Sequence, residues 1–129
     1  MTLAGLSAKT SRMETLFIVN DPPYGTERLY NAMRLAQALL KRDPEAEVTV
    51  FLMADAVVGA RKGQKTPDGY YNVERMLGRI LSAKGRVLLC GTCMDARAMA
   101  DADVIAGATR STMAELADLT AGADRVLVF

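Results

Sequence analysis

A chain of 129 residues, 50% hydrophobic and 24% charged, has ordinary globular composition, with room for one domain with a real core and too little for two. Its formal net charge of +1 gives nucleic-acid binding no electrostatic support, and its longest apolar runs are only strand length, so nothing reads as crossing a membrane. Two cysteines three positions apart do not make a disulfide scaffold, and the absence of histidine removes the base a Cys-His hydrolase needs.

Residues 1–12 hold Lys9 and Arg12 but no apolar segment of a secretory signal. They read as a flexible N-terminal extension ahead of a single domain at 13–129. Glu14 to Asn20 is an apolar run with a polar end, the pattern of a strand covered on both faces. Asp21-Pro22-Pro23-Tyr24-Gly25 is a loop, because its prolines and glycine exclude both ladder and helix. Thr26 reads as an N-cap for a helix whose Leu29, Ala32, Met33, Ala36 and Leu40 share one face. Asp43-Pro44 ends that helix.

Val48 to Met53 is a second buried strand, followed by a helical turn over Asp55 to Ala60. Arg61 to Gly69 is a polar, basic loop. Asn72 reads as the cap of a helix with Val73, Met76, Leu77, Ile80 and Leu81 in one stripe, closed by Gly85 at C′. Arg86 to Cys90 is the third strand, with a short helix expected from Met94 to Ala100. Asp103 to Ala106 reads as a short strand. Ser111 is the expected cap of a last helix with Met113, Leu116, Ala117 and Thr120 inward and Gly122 at its end. Arg125 to Phe129 closes the chain as a strand. Met33, Met76 and Met113 read as core filling.

Strands alternating with helices predict parallel pairing with right-handed crossovers. The expected architecture is a three-layer α/β/α domain with a mostly parallel sheet of four to five strands. Ligands of such sheets sit at the carboxyl ends of the strands. That edge gathers Asn20 to Gly25, Met53 to Asp55 and Cys90 to Cys93.

The sequence Cys90-Gly91-Thr92-Cys93-Met94-Asp95-Ala96-Arg97 carries the chemistry. A thiol between a strand end and a helix start lies near unpaired backbone N–H groups, which favour the reactive thiolate. Gly91 permits close backbone approach. The functional reading is one nucleophilic cysteine, with the other thiol either resolving it or only packing. The competing reading is two small buried hydrophobic side chains. A structural zinc site needs four Cys or His ligands, which one chain does not supply, so no metal is expected. Arg97, about one turn beyond Cys93, either stabilises a sulfur anion or pairs with a carboxylate. Arg61, Lys62 and Lys65 form either a docking surface or a solvated loop. Tyr24, Gly25 and Thr26 either bind an anion or merely cap a helix. There is no GxGxxG and no Walker A, so no nucleotide cofactor is expected.

Four segments together resemble the DsrE/DsrF-like proteins, in particular their small YchN-like branch. These are Asn20-Asp21-Pro22-Pro23-Tyr24 with Arg34-Leu35-Ala36, then Ala54-Asp55-Ala56-Val57 with Lys62-Gly63-Gln64. After them come Cys90-Gly91-Thr92-Cys93 with Ala96-Arg97, and finally Asp124 to Phe129. The resemblance spans residues 13–129. It implies an α/β sheet, homotrimers or homohexamers, and a role in cytoplasmic sulfur relay. In the sulfur-carrying members the active cysteine precedes an Arg-Gly pair. Counting back from Arg97 puts Cys90 at that position, while Ala98 replaces the glycine, so a different local backbone is expected there. On this resemblance the chain is a sulfur carrier, sulfurtransferase-like if active, that holds a persulfide on Cys90 and works between sulfur donor and acceptor proteins. Two other readings stand beside it: an oligomeric module binding a small anion or partner protein, and a dithiol oxidoreductase using Cys90 and Cys93. Tyr24, Arg97 and Lys62 are the expected binding residues.

Overall fold

A computed structural model describes residues 12–129. The expected N-terminal extension lies outside the described residues except for Arg12, which pairs with Glu47 across 3.2 Å. Five strands form one sheet in the order β4-β3-β2-β1-β5, and every neighbouring pair is parallel. They are β1 (Glu14–Val19), β2 (Glu47–Leu52), β3 (Arg86–Cys90), β4 (Ala108–Ser111) and β5 (Arg125–Val128). The α-helices are α1 (Arg28–Arg42), α2 (Val73–Ser82), α3 (Gly91–Ala96) and α4 (Met113–Gly122). A 3-10 helix, Ala54–Ala60, follows β2, and a shorter one, Asp101–Asp103, precedes β4.

The strand order dictates which face each helix covers. From β1 to β4 the chain steps in one direction, so right-handed crossovers place every connection on the same face. On that face Phe17, Val19, Val50, Leu52 and Leu89 pack against Leu29, Met33 and Ala36 of α1 and Met76, Leu77 and Ile80 of α2. The last connection runs back from β4 to β5, and α4 therefore crosses the opposite face. There Leu16, Phe51 and Leu88 pack on Leu116, with Leu119 and Ala123 beside it. Three layers result, but among the described residues the second face has a single helix of ten residues. Val128, Met113 and Val126 stay exposed on that side, at 66%, 63% and 38%. Met113 is therefore not core filling, unlike the buried Met33 and Met76. The inward face of α4 is Leu116 with Leu119; Ala117 and Thr120 are exposed.

Several ends differ from the sequence expectation. α1 begins at Arg28 after Glu27, and the Thr26 hydroxyl instead sits between Asp21, at 3.1 Å, and the Arg28 N–H, at 3.4 Å. Asn72 caps α2 as expected, accepting from the Arg75 N–H at 3.1 Å. Past its C-terminus the left-handed residue is Lys84, at φ +69°, not Gly85. Gly85 is needed for space: a Cβ there would meet Ile80 Cγ2 at 2.6 Å. The expected strand at 103–106 is a 3-10 turn with a lone antiparallel bridge, Val104 to Arg61; the true strand is β4. The short helix is α3, from Gly91 to Ala96, which starts and ends earlier than Met94–Ala100. Thr112, not Ser111, caps α4, accepting from the Glu115 N–H at 3.1 Å. Among the described residues, no helix is long and apolar enough to cross a membrane.

Candidate functional site

Parallel register brings the carboxyl ends of four strands level. Val19 lies beside Leu52, Leu52 beside Leu89, and Cys90 beside Ser111. The chain leaves β3 at Cys90 and turns at once into α3. A β-carbon at Gly91 would lie 3.0 Å from Arg110 Nη1 and 3.2 Å from the Ser111 carbonyl oxygen, so the turn is close-packed against β4. Arg110 braces it from the far side, donating to the Gly91 carbonyl at 3.0 Å, to Asp95 at 3.0 Å and to Asp101 at 3.1 Å.

Cys90 is itself the cap of α3. Its sulfur accepts from the Cys93 N–H at 3.4 Å and lies 3.3 Å from the Thr92 hydroxyl. Both sulfurs belong to half-buried residues. Burial pushes the Cys90 thiol up, but hydrogen bonds from the Cys93 thiol, the Thr92 hydroxyl and the Cys93 and Thr92 backbone outweigh it. The net effect holds Cys90 below its ordinary value. Cys93 shifts the other way. Burial raises it, as does its hydrogen bond to Cys90, against the lowering effects of the Ala54 N–H and Arg97. Cys90 therefore ionises more readily than an ordinary cysteine and Cys93 less readily.

The loop after β2 closes the site from above. The Ala54 N–H donates to Cys93 Sγ at 3.2 Å. Ala54 does so from a left-handed backbone, φ +49°, which side-chain-bearing residues adopt only under constraint. Arg97 ties the two segments together: its Nη1 donates to the Cys93 carbonyl at 3.0 Å, and its Nε and Nη2 reach Asp55 at 3.0 and 2.8 Å. The next residue, Ala98, holds φ +54°. The backbone there is one that glycine adopts freely and alanine only at a cost.

Cys90, Cys93 and Arg97 are thus brought together, and Arg97 is engaged by a carboxylate. Tyr24 is committed elsewhere. Its hydroxyl donates to Gln64 Oε1 at 2.6 Å and accepts from the Val73 N–H at 3.1 Å, and its ring stacks on Tyr71. With Gln64 donating to the Gly59 and Arg61 carbonyls, it pins the 61–72 loop to α2. Lys62 is exposed; its N–H donates to the Asp103 carbonyl at 2.9 Å, beyond the far end of the 3-10 helix that starts at Ala54. Thr92 and Ala54 fall within segments the sequence pointed to but had no role of their own there, and Arg110 fell outside them. Thr92 alone carried a local signal, a hydroxyl between two cysteines. Among the described residues, no group of three His, Cys, Asp or Glu side chains is arranged to hold a metal ion.

The chain has relatives of known sequence and structure. YchN of Escherichia coli K12 is 40% identical over 114 residues, 88% of this chain and 97% of that protein. An uncharacterized protein of Methanopyrus kandleri is 34% identical over 112 residues, 87% of this chain and 90% of its own. The crystal structure of the Escherichia coli protein superposes with a TM-score of 0.87 at 38% identity, covering 91% of this chain and 99% of that one. A Methanobacterium thermoautotrophicum protein of unknown function shares the fold at a TM-score of 0.72 and 13% identity, covering 88% of this chain and 96% of that one. The sequence profile of the DsrE/DsrF-like family matches residues 13–129, and the chain belongs to that family.

Proposed function

We propose that this protein is an intracellular sulfur carrier that holds sulfane sulfur as a persulfide on Cys90. The observation that supports it most is the Cys90 sulfur, half-buried, capped by the Cys93 N–H and the Thr92 hydroxyl, and held below its ordinary pKa. A thiolate in that setting attacks the outer sulfur of a donor persulfide. The new bond joins Cys90 Sγ to that sulfur, and the donor departs as its own thiolate. No general base is required, in keeping with a chain that has no histidine. Delivery is the same exchange in reverse, with the thiolate of an acceptor protein attacking the outer sulfur.

The carrier works as a self-association of identical chains, a trimer or a hexamer. Support comes from the second sheet face, where one short helix leaves Val128, Met113 and Val126 in water beside the half-buried Ile18 and Met53. Apolar surface of that kind marks an interaction site.

The test is intact mass after anaerobic incubation with cysteine persulfide. Gain of one sulfur, removed by a dithiol reductant and absent in Cys90→Ser, is the expected result. Failure of the accessible thiols to take up sulfur overturns the carrier and favours a binding module.

A further inference from the structure

Cys93 is not needed to load sulfur onto Cys90, yet it is built into the site with care. It occupies the third position of α3, where the N-cap side chain meets the backbone, so its N–H lies 3.4 Å from Cys90 Sγ. The two thiols shift each other's ionisation in opposite directions. Its own sulfur receives a donor from outside the helix, the Ala54 N–H at 3.2 Å, and that donor is aimed by a residue in the left-handed region. Arg97 fixes the Cys93 carbonyl and lies close enough to favour a negative Cys93 sulfur. Each sulfur of the pair therefore has its own N–H donor.

We infer that Cys93 is a resolving thiol that discharges a persulfide on Cys90, releasing hydrosulfide and leaving a Cys90–Cys93 disulfide; this rests on the carrier reading above. In this step the Cys93 thiolate forms a bond to Cys90 Sγ, the inner sulfur. The bond from Cys90 Sγ to the outer sulfur breaks, and its electron pair leaves as HS⁻. The sulfane sulfur gains two electrons and the two cysteine sulfurs together lose two. A small dithiol or a dithiol protein reduces the disulfide and restores the pair.

Loading itself releases Cys93 for this role. In the empty protein the Cys90 sulfur pushes the Cys93 thiol up, through its interaction with that thiol and through its charge when ionised. A persulfide carries its charge or its proton on the outer sulfur, so Cys90 Sγ no longer does either. The Ala54 N–H and Arg97 then have only burial to work against. The protein is consequently a two-way device. An acceptor that arrives first takes the sulfur; without one, the sulfur leaves as hydrosulfide.

The test follows wild type, Cys90→Ser and Cys93→Ser under anaerobic conditions after brief loading with cysteine persulfide and removal of excess donor. Hydrosulfide is trapped with a bimane reagent while protein mass is read over time. In wild type, loss of the added sulfur should coincide with loss of two hydrogens and release of one hydrosulfide per loaded chain. Cys93→Ser should keep its added sulfur and release hydrosulfide about tenfold more slowly or less. Matching melting curves for the variants establish that the fold is intact. Equal persistence of the added sulfur in wild type and Cys93→Ser overturns the resolving role while leaving the carrier standing. No loading in either overturns both.

Discussion

Two nitrogens of Arg97 converge on a single oxygen of Asp55, at 3.0 and 2.8 Å, across 42 residues of sequence. This contact, with the Arg97 bond to the Cys93 carbonyl, holds the loop after β2 onto the short helix that carries both thiols. Its energy is modest, because the Asp55 side chain is 62% exposed. Asp55→Asn should cost under about 1 kcal/mol and the cost should shrink in high salt. Chemical denaturation at low and high ionic strength checks this; a large, salt-independent loss would show that Asp55 does more than pair.

The thiol asymmetry has a pH signature. Cys90 lies below its ordinary value, so at neutral pH it is more ionised than a free cysteine and should alkylate faster than Cys93. Thr92→Val removes one hydroxyl that supports the anion. The Cys90 value then moves upward, its thiolate fraction at neutral pH falls, and alkylation slows. Well above the ordinary thiol range both proteins are ionised and the rates should converge. Peptide mapping after timed iodoacetamide exposure resolves the two sites.

Ala98 holds a glycine conformation at φ +54°. Left-handed backbone costs a side-chain-bearing residue about 1–2 kcal/mol, while glycine adds about 0.4–1 kcal/mol of unfolded-state entropy. Ala98→Gly should therefore stabilise the protein by up to about 1 kcal/mol. A lower melting temperature in that variant would show that the methyl group packs usefully.

The opposite change is expected at Gly91. A methyl there lies within 3.0 Å of Arg110 and 3.2 Å of the Ser111 carbonyl. Gly91→Ala should cost about 1–3 kcal/mol, by displacing Arg110 or the β3 turn. Thermal melts measure the loss, and an unchanged melt would mean that Arg110 yields freely.

The uncovered sheet face gives a paired substitution. Val128→Asp with Met113→Lys should shift the assembly to monomer in sedimentation equilibrium without unfolding it, since both side chains are exposed in the single chain. A wild-type monomer at micromolar concentration would remove the oligomer from the account.

The central strands were legible because burial on both faces leaves continuous apolar runs, as in Leu16 to Val19 and Val87 to Leu89. β4 was not. Ala108, Thr109, Arg110 and Ser111 form a short edge strand with little apolar pattern, whereas the more apolar Val104-Ile105 next to it makes only one bridge. Met113 misled for a related reason: an apolar side chain on a helix looks inward whether its partner is this chain's core or another surface. At the site, Cys90 and Cys93 could be found from a strand running into a helix. Met53 to Asp55 could be placed at the same edge, but not the Ala54 N–H bond to Cys93 or the Asp55 pair with Arg97, which depend on a backbone angle that no residue type announces.

Strand β1, the first in the described chain, sits between β2, the next in sequence, and β5, the last. The Glu14 N–H reaches the Asp124 carboxylate at 2.8 Å across 110 residues. Contacts of such separation pay the greatest loop-closure entropy and form late in folding. During synthesis, β1 to β4 can assemble with α1 and α2 while one edge of β1 still has open N–H and C=O groups. That edge is a template for strand addition by another nascent copy until α4 has crossed the sheet and β5 has docked. Growth temperature and expression rate should therefore govern the yield of this protein more than its final stability does.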